Sequence, residues 1–313
     1  MINQSKYIYH LGKKKKRKKI NKIVILLIIC FCVAILSFFF IPFNRIFTFI
    51  SGETNKTDIE VLWKNKRYND IITEYMEKLE RKPLNPIILT YLGFSYFFKA
   101  KSTTYDKDML IDKAILLLRK AKLIPVTNLA GEIDYVLGLA YFLKGKYFYD
   151  LSIKYMESSI MNNYKGVDTN WCLGMAYGGM GNFDKELEYY LKAAKEKESS
   201  LSLLSVGEVY IKKGNFQLAE NYLMRALNKA NDNNIEQQCR FRLGEIYFER
   251  NDYLKAEEQY KNILKINKKS ANAHFYLGEI YAKLNNIIEA RAEWRKALII
   301  DPSHYGAKLR YYN

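Results

Sequence analysis

Residues 271–302 read ANAHFYLGEIYAKLNNIIEARAEWRKALIIDP, two apolar-periodic runs on either side of Leu284-Asn285-Asn286. In each run apolar side chains recur at spacings of three and four, the period of a helix with one buried stripe. Gly278 and Tyr281 mark the first run, and Ala290, Trp294 and Ala297 mark the second. Pro302, after Asp301, stops the second helix, because proline has no N–H to continue the ladder. The stretch therefore reads as two helices joined by a turn. The Gly-x-x-Tyr pair recurs upstream at Gly93/Tyr96, Gly138/Tyr141, Gly174/Tyr177, Gly207/Tyr210 and Gly244/Tyr247, so the six glycines lie at intervals of 45, 36, 33, 37 and 34 residues.

The second-helix residues follow these glycines too: Ala256 and Tyr260 after Gly244; Ala219, Leu223 and Ala226 after Gly207; Tyr190 and Ala193 after Gly174. After Gly138 they come one residue late, at Leu151, Tyr155 and Ser158, and after Gly93 nine late, at Ala114, Leu118 and Ala121. Lys213-Gly214-Asn215-Phe216, Met180-Gly181-Asn182-Phe183 and Asn251-Asp252-Tyr253 supply turn residues that tolerate left-handed backbone. A recurrence near 34 residues with this pattern resembles the tetratricopeptide repeat. That resemblance implies an all-α, right-handed superhelical solenoid over 58–304. Its seven units fall at about 52–85, 86–130, 131–166, 167–199, 200–236, 237–270 and 271–304, with 305–313 as a tail. A single hairpin cannot bury both of its apolar faces, so stacking is obligatory.

The chain carries a formal charge of +17, with 50 Lys and Arg against 33 Asp and Glu. Residues 1–52 hold ten of the basic residues and no acid, which leaves 40 − 33 = +7 for the remainder. The charge therefore gathers at one end. Ile23–Phe43, IVILLIICFCVAILSFFFIPF, is 21 uncharged residues, about 30 Å as a helix and matched to the hydrocarbon thickness of a bilayer. It reads as a transmembrane helix joined to the repeats by a linker over 44–57. The run is longer than a signal-peptide core and no small-x-small pair follows it near Ser51 and Gly52, so an uncleaved signal anchor is expected. Lys6, Lys13 to Lys16, Arg17, Lys18, Lys19 and Lys22 precede the span, which keeps the 1–22 tail in the cytoplasm. The repeats then lie on the extracytoplasmic, periplasmic side of a bacterial inner membrane. Beside a span, the KKKKRKK run suits anionic lipid headgroups rather than nucleic acid.

The resemblance also implies that the first helix of each hairpin lines a groove, with exposed positions three before, one after and four after the small residue. These are Phe94 and Phe97; Tyr135, Leu139 and Phe142; Trp171 and Met175; Leu204 and Ile211; Phe241 and Phe248; and Phe275. The position after the small residue is Glu208, Glu245 and Glu279 in successive units, an acidic ladder that would favour Lys, Arg or free amides of a peptide ligand. A clamp for a peptide carboxylate, which needs basic groove residues, does not fit. Residues 99–110 insert polar sequence into the second unit, and the tail HYGAKLRYYN leaves room for self-association or partner docking on an uncovered last hairpin.

No residues compose an active site. His10, His274 and His304 share no metal-ligand spacing, and there is no Gly-rich phosphate loop, Gly-x-Ser-x-Gly or HExxH. Cys30, Cys32, Cys172 and Cys239 form no CxxC pair. The expectation is a protein without cofactor, metal or enzymatic activity. It would be a membrane-anchored scaffold or assembly factor that binds proteins through its repeat groove. The alternative is a chaperone-like or protein-targeting receptor at a membrane surface.

Overall fold

The computed structural model describes residues 58–124 and 128–312. The expected basic tail, transmembrane helix, linker and opening residues 52–57 of the first unit lie outside the described residues. The chain divides into two units, Met1–Val61 and Leu62–Asn313. Of the first, only residues 58–61 are described.

Among the described residues there are fifteen α-helices and no strand. They run α1 Asp58–Lys64, α2 Tyr68–Arg81, α3 Pro86–Ser102, α4 Lys107–Lys122, α5 Ala130–Leu143, α6 Tyr149–Met161, α7 Thr169–Gly179, α8 Phe183–Glu196, α9 Ser200–Lys212, α10 Phe216–Asn228, α11 Asn233–Glu249, α12 Tyr253–Ile266, α13 Ala271–Lys283, α14 Ile287–Ile300 and α15 Tyr305–Tyr312. No helix of the described residues is long and apolar enough to cross a membrane.

From α3 onward, successive helices pair into hairpins, and each hairpin packs against the next. The signature glycines sit where the two helices of a hairpin meet. A Cβ added at Gly174 would lie 2.5 Å from Tyr190, at Gly207 2.8 Å from Leu223, at Gly244 2.7 Å from Tyr260 and at Gly278 2.4 Å from Trp294. In all four the facing residue is sixteen positions further on, so one local geometry is repeated. In the third hairpin the expected register slips. Met156, not Tyr155, faces Gly138 at 2.5 Å, because five residues separate α5 from α6 where three separate α7 from α8, the longer connection holding the 3-10 turn Lys146–Phe148. Tyr155 stacks instead on Tyr141, with ring centroids 5.6 Å apart. The insertion at 99–110 is not a loose loop. It lengthens α3 and α4 and leaves a short turn in which Asp106 takes a positive φ of 54°.

The turns between paired helices use one device. Gly181 (φ 82°), Gly214 (73°), Asn251 (61°) and Asn285 (59°) occupy the same repeat position in left-handed backbone, open to glycine and asparagine at little steric cost. In the first two the next residue caps the second helix: Asn182 accepts from the Lys185 N–H at 3.1 Å and Asn215 from the Leu218 N–H at 3.1 Å, satisfying donors that a helix start would otherwise leave unpaired; Asn286, after Asn285, makes no such bond.

The signature tyrosines stitch neighbouring hairpins together. The Tyr177 hydroxyl donates to Glu157 at 2.7 Å, Tyr247 to Glu220 at 2.9 Å and Tyr281 to Glu257 at 2.7 Å. In each case the acceptor lies on the second helix of the preceding hairpin. Lys212 bridges to Glu186 at 2.7 Å and Arg250 to Glu220 at 2.6 Å in the same sense.

The segment after Pro302, expected as a tail, folds as α15. Asp301 accepts from the Ser303 N–H at 2.9 Å, and His304 Nδ1 accepts from the Ala307 N–H at 3.1 Å. The helix start is thus capped by side chains on both sides of the turn. Ala307 is fully buried. In the repeat register it takes the place of Ala273, so α15 is the beginning of an eighth first helix. Tyr312 stands where the other units have glycine.

Candidate partner-binding groove

The first helices α3, α5, α7, α9, α11 and α13 carry all the residues expected to line a groove, but the structure sorts those residues into two groups. Phe94, Phe97, Leu139 and Leu204 are buried and present no surface to a ligand. Phe94 lies in an aromatic cluster with Trp63 at 5.4 Å and Tyr91 at 6.3 Å. For Phe94 and Phe97 the reason lies in α3 itself, whose stretch PIILTYLGFSYFF carries no charge. A helix without a polar face is buried on every side.

Tyr135, Phe142, Trp171, Met175, Ile211, Phe241, Phe248 and Phe275 are half-buried. Tyr135 is committed to its neighbours, donating to Asp168 at 2.5 Å and packing on Tyr164. Burial and the adjacent Asp168 carboxylate push its phenol far above the usual range. Phe142 stacks on Tyr149 at 5.5 Å and meets the edge of Trp171 at 6.5 Å. The Trp171 Nε1 is buried without a partner. Phe248 packs on Tyr253 of its own hairpin.

The acidic ladder is occupied by the chain's own arginines. Arg242 Nε donates to Glu208 at 3.0 Å and its Nη1 to Glu245 at 3.1 Å. Arg310 of α15 holds Glu279 in a two-pronged pair at 3.1 and 3.0 Å. Burial alone would lower the Arg242 pKa, yet Glu245 and Glu208 together keep it above its usual value. Arg242 and Arg310 fall at one repeat position, two residues before the glycine site. The ladder is thus partly a set of ties between successive first helices.

At the carboxyl-terminal end the half-buried group opens into a cavity of about 410 Å³ between α11, α13 and α15, walled by Phe241, Phe275 and Tyr276 with Arg242, Glu245 and the side-chain amides of Gln238 and Asn272. His304 and Gly306 close one side. His304 packs on Phe275 at 4.9 Å. Its Nε2 bonds to Asn272 at 3.0 Å while Nδ1 serves the helix cap, so Nε2 carries the proton. Residue-by-residue reading found Phe241, Glu245 and Phe275 but missed the rest of this wall. Extending the 34-residue register past Pro302 would have placed Ala307 and Arg310 on a further first helix.

Among the described residues no group of His, Cys, Asp and Glu could hold a metal. Cys172 and Cys239 are buried and free, and burial pushes both thiols up to about 12.

Comparison with known proteins recognises tetratricopeptide repeats in this chain. Profiles of the tetratricopeptide repeat match residues 169–199, 202–233 and 271–304, and a TPR repeat profile matches 244–285. No curated protein matches the chain in sequence. Among solved structures, the chain is similar to the C-terminal part of a TPR repeat-containing protein from Cytophaga hutchinsonii. That match has a TM-score of 0.60 and 18% identity, covering 80% of this chain and 97% of the other. The MamA protein matches with a TM-score of 0.50 and 22% identity over 56% of this chain and 93% of the other. A match to the APC/C hetero-tetramer Cut9–Hcn1 has a TM-score of 0.49 and 18% identity; it covers 85% of this chain and spans half of the other. At these identities the likeness to the Cytophaga hutchinsonii protein and to MamA shows the fold, an all-helical solenoid of the tetratricopeptide type.

Proposed function

We propose that this chain is a non-catalytic protein-binding scaffold held at a membrane by residues 23–43, and that it grips a partner peptide or helix along the first helices α7 to α13. Tetratricopeptide repeats serve protein recognition in many settings, and a solenoid offers a long binding face built from short units. The observation that carries the reading is the cavity between α11, α13 and α15, where half-buried Phe241 and Phe275 lie beside Glu245, one of whose carboxylate oxygens accepts no hydrogen bond among the described residues. Aromatic anchors at a sheltered site are where binding energy concentrates. The basic 1–22 tail would rest on anionic lipid and the repeats would lie on the opposite, extracytoplasmic side, most simply at a bacterial inner membrane. Tethering raises the effective concentration for partners in the same membrane.

The test is a peptide array probed with the full chain in detergent micelles, wild type against Phe241→Ala and Phe275→Ala. Selective peptides lost in both variants support the reading; a wild-type protein that binds no peptide overturns it. Protease accessibility of a tag after Asn313 in cells with the outer barrier opened and the inner membrane sealed tests the orientation. Protection under those conditions would put the repeats in the cytoplasm.

A further inference from the structure

The cavity between α11, α13 and α15 has an unbalanced charge. Arg242 is shared by Glu208 and Glu245, so one cation serves two carboxylates. Glu245 gives Arg242 one oxygen, and among the described residues its Oε1 accepts no hydrogen bond. Glu279, the third rung, is neutralised by Arg310 and adds nothing. The fields of Glu245, Glu279 and Glu249 all reach Tyr276 on the cavity wall, opposed by Arg242. Glu208 and Glu245 thus set two carboxylates against the single guanidinium of Arg242, a surplus of one negative charge.

A buried ring backs two walls of the cavity. Tyr260 projects from α12 past Gly244, its Cζ 2.7 Å from where a glycine Cβ would be. Its ring stacks on Tyr276 at 5.0 Å and meets Phe241 at 5.8 Å, both of which line the cavity. The side chain is fully buried and, among the described residues, its hydroxyl has no partner. Buried polar groups are nearly always bonded. Burial pushes this phenol far up, Tyr276 and Glu245 add to the shift and Arg242 opposes it.

We infer that this cavity takes the cationic side chain of a partner's lysine or arginine, its stem between the Phe241 and Phe275 rings and its charged head on Glu245. The rings supply apolar walls for the stem and negative π faces for the cation. The free Glu245 oxygen supplies a charge-assisted acceptor. An acidic side chain would meet the surplus carboxylate, and the single positive charge of Arg242 is already divided between Glu208 and Glu245. The inference rests on the proposed peptide-binding function and narrows it to basic ligands at one point of the groove.

The probes are the N-acetyl amides of arginine, lysine, norleucine and glutamate, titrated into the full chain in detergent micelles and followed by ligand-observed NMR. Arginine and lysine amides should bind, norleucine amide more weakly and glutamate amide not at all. Glu245→Gln should weaken the cationic probes by about tenfold, the worth of one charge-assisted hydrogen bond. Glu208→Gln should weaken them too although Glu208 is outside the cavity, because it frees Arg242 to neutralise Glu245. Urea unfolding checks that each variant is folded, and Glu208→Gln decides if Glu245→Gln is not. Wild type that binds glutamate amide as well as arginine amide, or folded variants with unchanged affinity, overturns the inference. If the array finds peptides with no basic preference, the pocket assignment fails and the groove stands; if it finds none, both fail.

Discussion

Gly278→Val tests the packing that defines every hairpin. The first added carbon would lie 2.4 Å from Trp294 Cδ1 and Nε1 and 3.0 Å from the Ala290 carbonyl oxygen, where 3.4–4 Å is ordinary contact. The indole must therefore retreat by about 1 Å, and at 6% exposure it has nowhere to go. Overpacking of this kind costs about 1–3 kcal/mol. Valine recovers only about 0.4 kcal/mol through better helix propensity than glycine. The net loss is about 1.6 kcal/mol, or roughly 15-fold in the local opening equilibrium at tenfold per 1.4 kcal/mol. Because each hairpin touches only its neighbours, the loss should stay local. Hydrogen exchange of the α13 and α14 amides should quicken by that factor while α7 and α8 keep their protection. Gly207→Val is the control, since it meets Leu223 Cγ at 2.8 Å, a side chain that can turn aside. A Gly278→Val protein no less stable than Gly207→Val, or one that opens evenly from α7 to α14, would refute the reasoning.

Tyr247→Phe removes the 2.9 Å bond to Glu220 across two hairpins and should cost about 1–2 kcal/mol; urea melts of Tyr247→Phe, Glu220→Gln and the double variant should show less than additive loss. Cys172 and Cys239 should resist iodoacetamide at pH 8.5 in the folded chain and react in urea, as read by peptide mass spectrometry, because burial raises both thiols from 9.0 to about 12. The same shift makes the unfolded state ionise first, so their contribution to stability is whole below pH 9 and declines as pH climbs towards 12. Arg310→Met breaks the pair with Glu279, whose partners are 55% and 13% exposed; after discounting for solvent, α15 should lose about 0.5–1 kcal/mol of protection and the rest of the solenoid none.

The hairpins could be read from residue spacing because their physics is local. A glycine facing a large side chain sixteen residues later, a left-handed turn and an Asn or Asp cap all fall within one unit, and each leaves a mark in sequence. The register slip at Gly138 escaped because a 3-10 turn moves the second helix without changing the residue types that follow. α15 escaped for a related reason. It has no Gly-x-x-Tyr pair, since Tyr312 occupies the glycine site, and what holds it are a histidine cap, a buried alanine and an arginine whose partner is 31 residues away.

The groove was harder to read because exposure depends on neighbours rather than on repeat position. The same positions give Phe94 and Phe97 at the amino-terminal end and Phe241 and Phe275 at the other. The first pair is buried because the stretch of α3 around it carries no charge. The second stays partly open because α11 carries Gln238, Arg242 and Glu245 beside it, and polar side chains need solvent or partners. For the glutamates too, position alone suggested three equivalent rungs waiting for a ligand, whereas inter-helix pairing makes them unequal. Arg310 closes Glu279, Arg242 is divided between Glu208 and Glu245, and only Glu245 combines a spare oxygen with an aromatic cavity. A solenoid built from one repeated plan thus acquires a distinct recognition point where the supply of arginines falls short of the carboxylates.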